Sequence, residues 1–303
     1  MSLSKISLSN LNKSASTACV FLTAIIWGLA FVAQRLGADF MGTYTFNGVR
    51  FMLGAVSLIP VIFFLERDAG TADERKYTLI AGIAGGLILF TASTLQQFGV
   101  VFTGSAGKAG FITGLYTVLV PIIGVFLGRK ITALTWTGAI SAVVGLYLLS
   151  VPEGATSIGI GDIVLLIGAF FWAIHIIVID RYANRVKPLR FSMTQFWVCG
   201  ISSIICALIF EDISPAGIIA GLAPILYGGV MSVGIAYTLQ TLGQRGVEPA
   251  KAAIIFSLES LFSALGGAIL LGETMSARGY VGCALIFTGI IVSQITLRKK
   301  AVA

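Results

Sequence analysis

The sequence predicts an all-α polytopic membrane protein: ten transmembrane helices arranged as two inverted five-helix repeats. Three observations predict it: a composition too apolar for a soluble domain, ten apolar runs of bilayer length, and a match between the two halves of the chain. The 303 residues are 57% hydrophobic and 11% charged, with a net charge of +7 and a mean hydropathy of +0.97. Soluble domains carry about a quarter charged residues. The 36 glycines suit helices that approach one another closely in lipid. The basic residues lie between apolar runs and not on a polar domain, so a nucleic-acid partner is excluded.

A bilayer-crossing helix needs about 20 mostly apolar residues. In chain order the qualifying runs are 16–34, 44–65, 78–101, 107–127, 133–151, 161–179, 190–210, 219–243, 250–271 and 278–297. The longest polar linker, "ERDAGTADERK" at 66–76, is too short to fold as a domain. The chain therefore divides into a tail at 1–15, a first repeat at 16–151, a second at 152–297 and a tail at 298–303. The polar start "MSLSKISLSNLNKSA" lacks the pattern of a cleaved signal peptide and reads as a tail before an uncleaved first span.

Lysine and arginine orient the spans, because cytoplasmic loops carry the excess. One alternating set of tails and loops holds Lys5, Lys13, Arg67, Arg75, Lys76, Arg129, Lys130, Arg181, Arg185, Lys187, Arg190, Arg245, Arg298, Lys299 and Lys300. The other holds Arg35 and Arg278. This places both termini in the cytoplasm of a multi-pass cell-membrane protein and requires an even number of spans. Cys19, Cys199, Cys206 and Cys283 fall within spans without metal-ligand spacing and read as small hydrophobes. No metal or cofactor is expected.

The halves repeat. "AIIWGLAFVAQR" at 24–35 lies over "AFFWAIHIIVID" at 169–180, pairing Trp27 with Trp172. "TLQQFG" lies over "TLQTLG", pairing Gln96 with Gln240, and "GKAGF" over "AKAAI", pairing Lys108 with Lys251. Gly138 and Gly145 lie over Gly282 and Gly289, and Arg50 over Gln195. Five spans per half is an odd number, so the second copy enters the membrane from the opposite side. Inverted repeats of this kind build secondary transporters, whose sites lie at the repeat interface near mid-bilayer.

At these residues the chain resembles a known family. "AIIWGLAFVAQR", "FNGVRFMLGA", "SAGKAGFITGLYTVLVPIIGVFLGRK" and "KAAIIFSLESLFSALGGAILLGE" look like the EamA branch of the drug/metabolite transporter superfamily, over nearly the whole chain. The resemblance implies ten helices, cytoplasmic termini, a central cavity between the halves, and export or exchange of small metabolites such as amino acids. Family members often place Pro after the glutamate of the ninth span. Here Ser260 stands there, so the kink is not specified by sequence.

An ionisable residue within a span costs about 2.5–3.5 kcal/mol on insertion scales and is a functional candidate. Glu259 is the one carboxylate near the centre of a run; it can bind a proton, pair with a substrate ammonium, or hydrogen-bond a neighbouring helix. Arg50 lies about 9 Å along the second span at 1.5 Å per residue. It can snorkel to the external interface or fork around a carboxylate in the cavity. Lys108 and Lys251 begin their spans and read as gate or interface residues. His175, the single histidine, suits a proton relay or a neutral bond between helices. Trp27 and Trp172 are mid-span, able to wall a cavity or simply to pack. Gln96, Gln240, Gln195, Asn47, Tyr116 and Tyr237 complete the polar set. Pro60 and Pro121 can bend their helices, and "GIAGG" and "GGVMSVG" permit close packing.

The small substrate is thus expected to cross by alternating access, driven by protons or exchange, with an amino-acid zwitterion matching both Glu259 and Arg50. A multidrug or cation exporter of the same fold is the alternative, followed by a passive channel or facilitator. An enzyme would need a metal triad, a nucleophile with its base, or paired carboxylates, and the span residues offer none of these sets. No GxxxxGKS loop is present for direct ATP drive.

Overall fold

Lipid offers no hydrogen bonds to the backbone, so a spanning chain must satisfy its amides internally. In the computed structural model, which describes residues 11–68, 70–104, 106–150, 158–271 and 276–295, every regular element is helical. They are α1 (Lys13–Gly37), α2 (Thr43–Leu65), α3 (Ala72–Thr103), α4 (Ala106–Gly114), α5 (Tyr116–Phe126), α6 (Ala133–Ser150), α7 (Ile160–Tyr182) and α8 (Pro188–Phe210). There follow α9 (Pro215–Ala220), α10 (Leu222–Leu226), a π-helical stretch (Tyr227–Tyr237), α11 (Thr238–Gly243), α12 (Pro249–Phe256), α13 (Leu258–Leu271) and α14 (Ala277–Gln294).

Seven helical stretches are long and apolar enough to cross a membrane: α1, α2, α3, Ala109–Phe126, α7, α8 and Leu222–Gly243. Shorter apolar helices cover Ala133–Leu149 and Ala277–Ser293, and the ninth expected run is split between α12 and α13. The limits differ from the sequence reading where caps decide them. α1 starts at Lys13, inside the expected tail, because the Asn12 side chain accepts the Ala15 N–H at 2.8 Å. α3 starts at Ala72 because Thr71 and Glu74 form a capping box.

Two helices break at corresponding places. α4 gives way to α5 at Leu115, and α12 to α13 at Ser257. Pro121 lies inside α5, so the interruption is not at the proline. In the second copy no proline is involved: the Ser257 hydroxyl bonds the Ile254 carbonyl at 2.6 Å, a local competitor to the helical ladder. The glycine-rich "GGVMSVG" run lies in the π-helical stretch, a rare conformation concentrated at functional sites.

The packing comes in matched pairs. α3 runs along α7 and α8; α1 and α2 run along the π-helical stretch. α4 and α5 contact α7, as α12 and α13 contact α1. Two further pairs join corresponding helices of the two halves, α2 with α8 and α6 with α14, and α5 packs on α12 as α4 packs on α13. The α6–α14 pair is antiparallel and glycine-mediated. A Cβ at Gly138 would stand 2.6 Å from the Gly289 carbonyl oxygen, and one at Gly145 the same distance from that of Gly282.

The α2–α8 pair is tied at both ends by carboxylates. Neither Gly42 nor Lys187, the N-cap residues of α2 and α8, caps its helix with a side chain. Glu211, just after α8, accepts the Tyr44 and Thr45 N–H groups and the Thr45 hydroxyl, each at 2.8 Å. Glu66, just after α2, accepts the Leu189 and Arg190 N–H groups at 2.9 and 3.3 Å. Burial pushes the Glu66 carboxyl up from the ordinary carboxylate range, against the pull of those two N–H groups and of Arg190. Each helix thus lends its partner the carboxylate that the partner's own start lacks.

The main core cluster contains Phe51, Trp172, Phe196, Tyr237 and Phe256. The outer faces carry exposed Phe63, Ile83, Leu208 and Ile269, as lipid contact requires.

Candidate functional site

Four residues of α1, Trp27, Ala30, Phe31 and Gln34, share one face at helical spacing and line an internal cavity. Arg50 of α2, Gln96 of α3, Thr113 of α4 and Tyr116 of α5 face it from the first half of the chain. From the second half come Trp172 and Ile176 of α7, Ser232 and Tyr237 of the π-helical stretch, Gln240 of α11 and Glu259 of α13. Its free volume is about 30 Å³, room for about two water molecules. The centre is therefore contracted in this conformation.

The two helix breaks deliver the central polar contact. Tyr116 is the first residue of α5 and Glu259 the second of α13. The Tyr116 hydroxyl donates to Glu259 Oε1 at 2.9 Å. Glu259 is 4% exposed, and its place in the first turn of α13 sets the carboxyl against the positive end of that helix. Ser260 Oγ donates to the Gly110 carbonyl at 3.2 Å, fastening α13 to α4 beside the site.

Arg50 points inward. It is 3% exposed; its Nε donates to Asn47 Oδ1 at 3.0 Å, and its guanidinium lies 5.2 and 5.0 Å from the Phe46 and Phe51 ring centres. Such cation–π contacts hold a desolvated guanidinium. Among the described residues Arg50 and Glu259 take part in no ion pair, with each other or with any other group.

An aromatic wall closes the other side of this polar centre. Trp27 packs on Tyr237 at 4.7 Å, on Phe256 at 5.3 Å and on Trp172 at 6.2 Å between ring centres. Trp172 stacks on Tyr237 with planes 17° apart. Trp27 Nε1 donates to the Ser232 carbonyl at 3.4 Å. Gln34 joins the two glutamines of α3: Gln96 Nε2 donates to its Oε1 and Gln97 Nε2 to its carbonyl, both at 3.1 Å.

Of the residues singled out in the sequence, Trp27, Arg50, Gln96, Tyr116, Trp172, Tyr237, Gln240 and Glu259 meet at the cavity. Asn47 stands behind Arg50 and holds it. His175 and Gln195 do not line the cavity. His175 Nε2 and Gln195 Oε1 are 2.8 Å apart and join α7 to α8, so the pair bonds helix to helix. Gln195 departs from its repeat mate Arg50 because its amide is turned toward Gly85, where a Cβ would stand 2.7 Å from Oε1. Lys251 lies in the first turn of α12, half-buried and away from the cavity. The Lys108 side chain is outside the described residues. Gln34, Thr113 and Ser232 are cavity residues that sequence reasoning missed. Gln34 carried a signal, since it lies two turns from Trp27 on the same face; the other two are small polar residues of a kind common in spans. Among the described residues no group of three His, Cys, Asp or Glu side chains could hold a metal.

Comparison with known proteins places the chain. The family model described as the EamA-like transporter family matches twice, over residues 15–151 and 159–294. An uncharacterized transporter of Archaeoglobus fulgidus is 29% identical over 89% of this chain and 83% of its own length. The uncharacterized inner membrane transporter YedA of Escherichia coli K12 is 22% identical over 92% of this chain and 90% of its own. A crystal structure sharing 20% identity superposes with a TM-score of 0.78, covering 93% of this chain and 97% of that one, which shows a common fold.

Proposed function

The chain belongs to the EamA-like transporter family, and on that premise we propose that it is a secondary active transporter. Its cargo is an amino acid or related zwitterion, moved in the direction of export by alternating access of two inverted five-helix repeats. In this reading α6, the α12–α13 pair and α14 complete ten crossings together with the seven longer stretches, and both termini face the cytoplasm.

What supports inversion is the antiparallel crossing of α6 and α14. Gly138 meets Gly289 and Gly145 meets Gly282, although the repeat aligns Gly138 with Gly282 and Gly145 with Gly289. A half-turn between the two helices produces that exchange. The reciprocal Glu66 and Glu211 caps obey the same half-turn.

One observation carries the substrate: Arg50 and Glu259 line one cavity bounded by both halves, and among the described residues neither is matched by an opposite charge. An unpaired buried charge is costly. A zwitterion relieves both, its carboxylate against the Arg50 fork and its ammonium against Glu259. In its absence Glu259 is neutralised by a proton, so substrate and proton compete for one carboxyl. That competition couples their movements without direct contact between them. The contracted cavity must widen to take cargo, and the breaks at Leu115 and Ser257 and the π-helical stretch are the places where helices can bend without losing a full ladder.

A second reading, an exporter of organic cations, is favoured by the Trp27, Trp172, Tyr237 and Phe256 rings clustered beside Glu259. Counterflow in proteoliposomes decides between them. A panel of labelled amino acids and organic cations is offered with and without an imposed pH gradient, to wild type and Glu259→Gln. The zwitterion reading expects saturable amino-acid counterflow whose pH dependence disappears in the variant. Saturable flux of cations alone would replace it with the second reading, and flux without saturation or counterflow would reject a carrier.

A further inference from the structure

Three cavity side chains from three different helices hold polar atoms that nothing among the described residues satisfies. Both amide atoms of Gln240, the indole Nε1 of Trp172 and the hydroxyl of Thr113 are buried without a hydrogen-bond partner. Gln240 is 0%, Thr113 3% and Trp172 7% exposed, and all three line the cavity that holds Arg50 and Glu259. Buried polar groups are nearly always bonded, and a cluster of unbonded ones around a cavity marks where a ligand bonds.

The cluster has a chemistry distinct from the charged pair. It is neutral, with two firm donors in the Gln240 amide and the Trp172 indole, one firm acceptor in the Gln240 carbonyl, and a hydroxyl that serves as either. A carboxylate or ammonium would find no counter-charge there. An alkyl group would leave every one of these atoms unbonded. A carboxamide or hydroxyl bonds them. Gln96, the repeat mate of Gln240, is not equivalent: its amide is taken by Gln34. The duplication therefore gives one free glutamine, and the cavity recognises a side chain on one side only.

We infer that Gln240, Trp172 and Thr113 form a neutral hydrogen-bonding subsite that selects substrates whose side chain ends in a carboxamide or hydroxyl group. The inference rests on the zwitterion reading above, in which Arg50 and Glu259 hold the α-carboxylate and α-ammonium and leave the side chain to this subsite. A site built to bond a substrate polar group rejects a same-shaped analogue that lacks it.

Two pairs of amino acids match in shape and differ in polarity: asparagine with leucine, and threonine with valine. Counterflow of all four is measured in proteoliposomes for wild type, Gln240→Leu and Thr113→Val, with thermal melting of each purified protein as the check on folding. Wild type is expected to favour asparagine over leucine by about 10²-fold in kcat/KM, consistent with leaving one or two buried polar groups unbonded. Gln240→Leu is expected to bring that ratio within about tenfold of unity, and Thr113→Val to reduce the threonine-over-valine ratio by about tenfold. Equal flux of both members of each pair in wild type would overturn the subsite and leave the zwitterion carrier standing. Undiminished preference in both folded variants would overturn it too. If Gln240→Leu does not fold, Thr113→Val alone decides by the same ratio. No flux of any of the four, beside flux of organic cations, would refute the underlying reading and the subsite with it.

Discussion

Glu211→Ala should loosen the start of α2, whose Tyr44 lies 167 residues before Glu211 in the chain but adjacent to it in space. The replacement removes the acceptor for the Tyr44 and Thr45 N–H groups and the Thr45 hydroxyl, all at 2.8 Å. Gly42 has no side chain to take over. Losing a helix N-cap costs about 0.5–2 kcal/mol, and losing a negative charge at a helix start about 0.3–1 kcal/mol more. The expected destabilisation is therefore about 1–3 kcal/mol, read as a lower midpoint in thermal or denaturant unfolding of the detergent-solubilised protein. The structure also specifies the rescue. Gly42 has φ −66° and ψ 163°, a backbone open to any residue and suited to a capping side chain. A Cβ there would press on the Glu211 carboxylate in the native protein, so Gly42→Asp alone should destabilise. In the Glu211→Ala background that obstacle is gone, and the same Gly42→Asp change should restore stability by supplying the cap locally. A double variant less stable than Glu211→Ala alone would refute the capping argument.

Three other outcomes follow from the same geometry. Gly145→Val puts a Cβ 2.6 Å from the Gly282 carbonyl oxygen and should destabilise by about 1–3 kcal/mol through overpacking of the α6–α14 crossing, measured by thermal melting. Tyr116→Phe deletes the donor to Glu259 and should lower kcat/KM for counterflow by about fivefold to thirtyfold, the worth of about 1–2 kcal/mol, with little change in melting temperature. Arg50→Lys keeps the charge but loses the Nε bond to Asn47 and the flat face on Phe46 and Phe51. It should weaken substrate binding by about tenfold or more, because a lysine cannot fork around a carboxylate; a saturation curve of counterflow measures it.

Much of the architecture was legible because lipid imposes simple rules. Apolar length marked the helices, and Trp27 over Trp172 and Gln96 over Gln240 exposed the duplication. Glu259 and Arg50 stood out because charge within an apolar run is expensive, and both line the cavity. Repeat symmetry was less reliable for side chains. It paired Gln195 with Arg50, yet Gln195 bonds His175, in space that Gly85 leaves open. It paired Gln240 with Gln96, yet only Gln96 has a partner in Gln34. Which glutamine is engaged depends on the few ångströms separating neighbouring helices, and a linear pattern does not encode that. The Ser257 break and the π-helical stretch were illegible for a related reason. Both turn on which carbonyl a hydroxyl or amide selects, while hydropathy is unchanged. The Glu66 and Glu211 caps escaped because capping is usually sought within a helix's own first residues, and here each cap comes from the far end of the partner helix.

In the function proposed above, two inverted repeats open one cavity to the two sides in turn. Spin labels at the exposed positions Asp39 and Asp212 on one face, and at Arg75 and Asn184 on the other, would report both gates by pulsed dipolar spectroscopy. Cys19, Cys199, Cys206 and Cys283 would first be replaced. As a saturating substrate is added or the pH is changed, one distance should lengthen while the other shortens. Distances that lengthen together, or that stay fixed while counterflow proceeds, would contradict it.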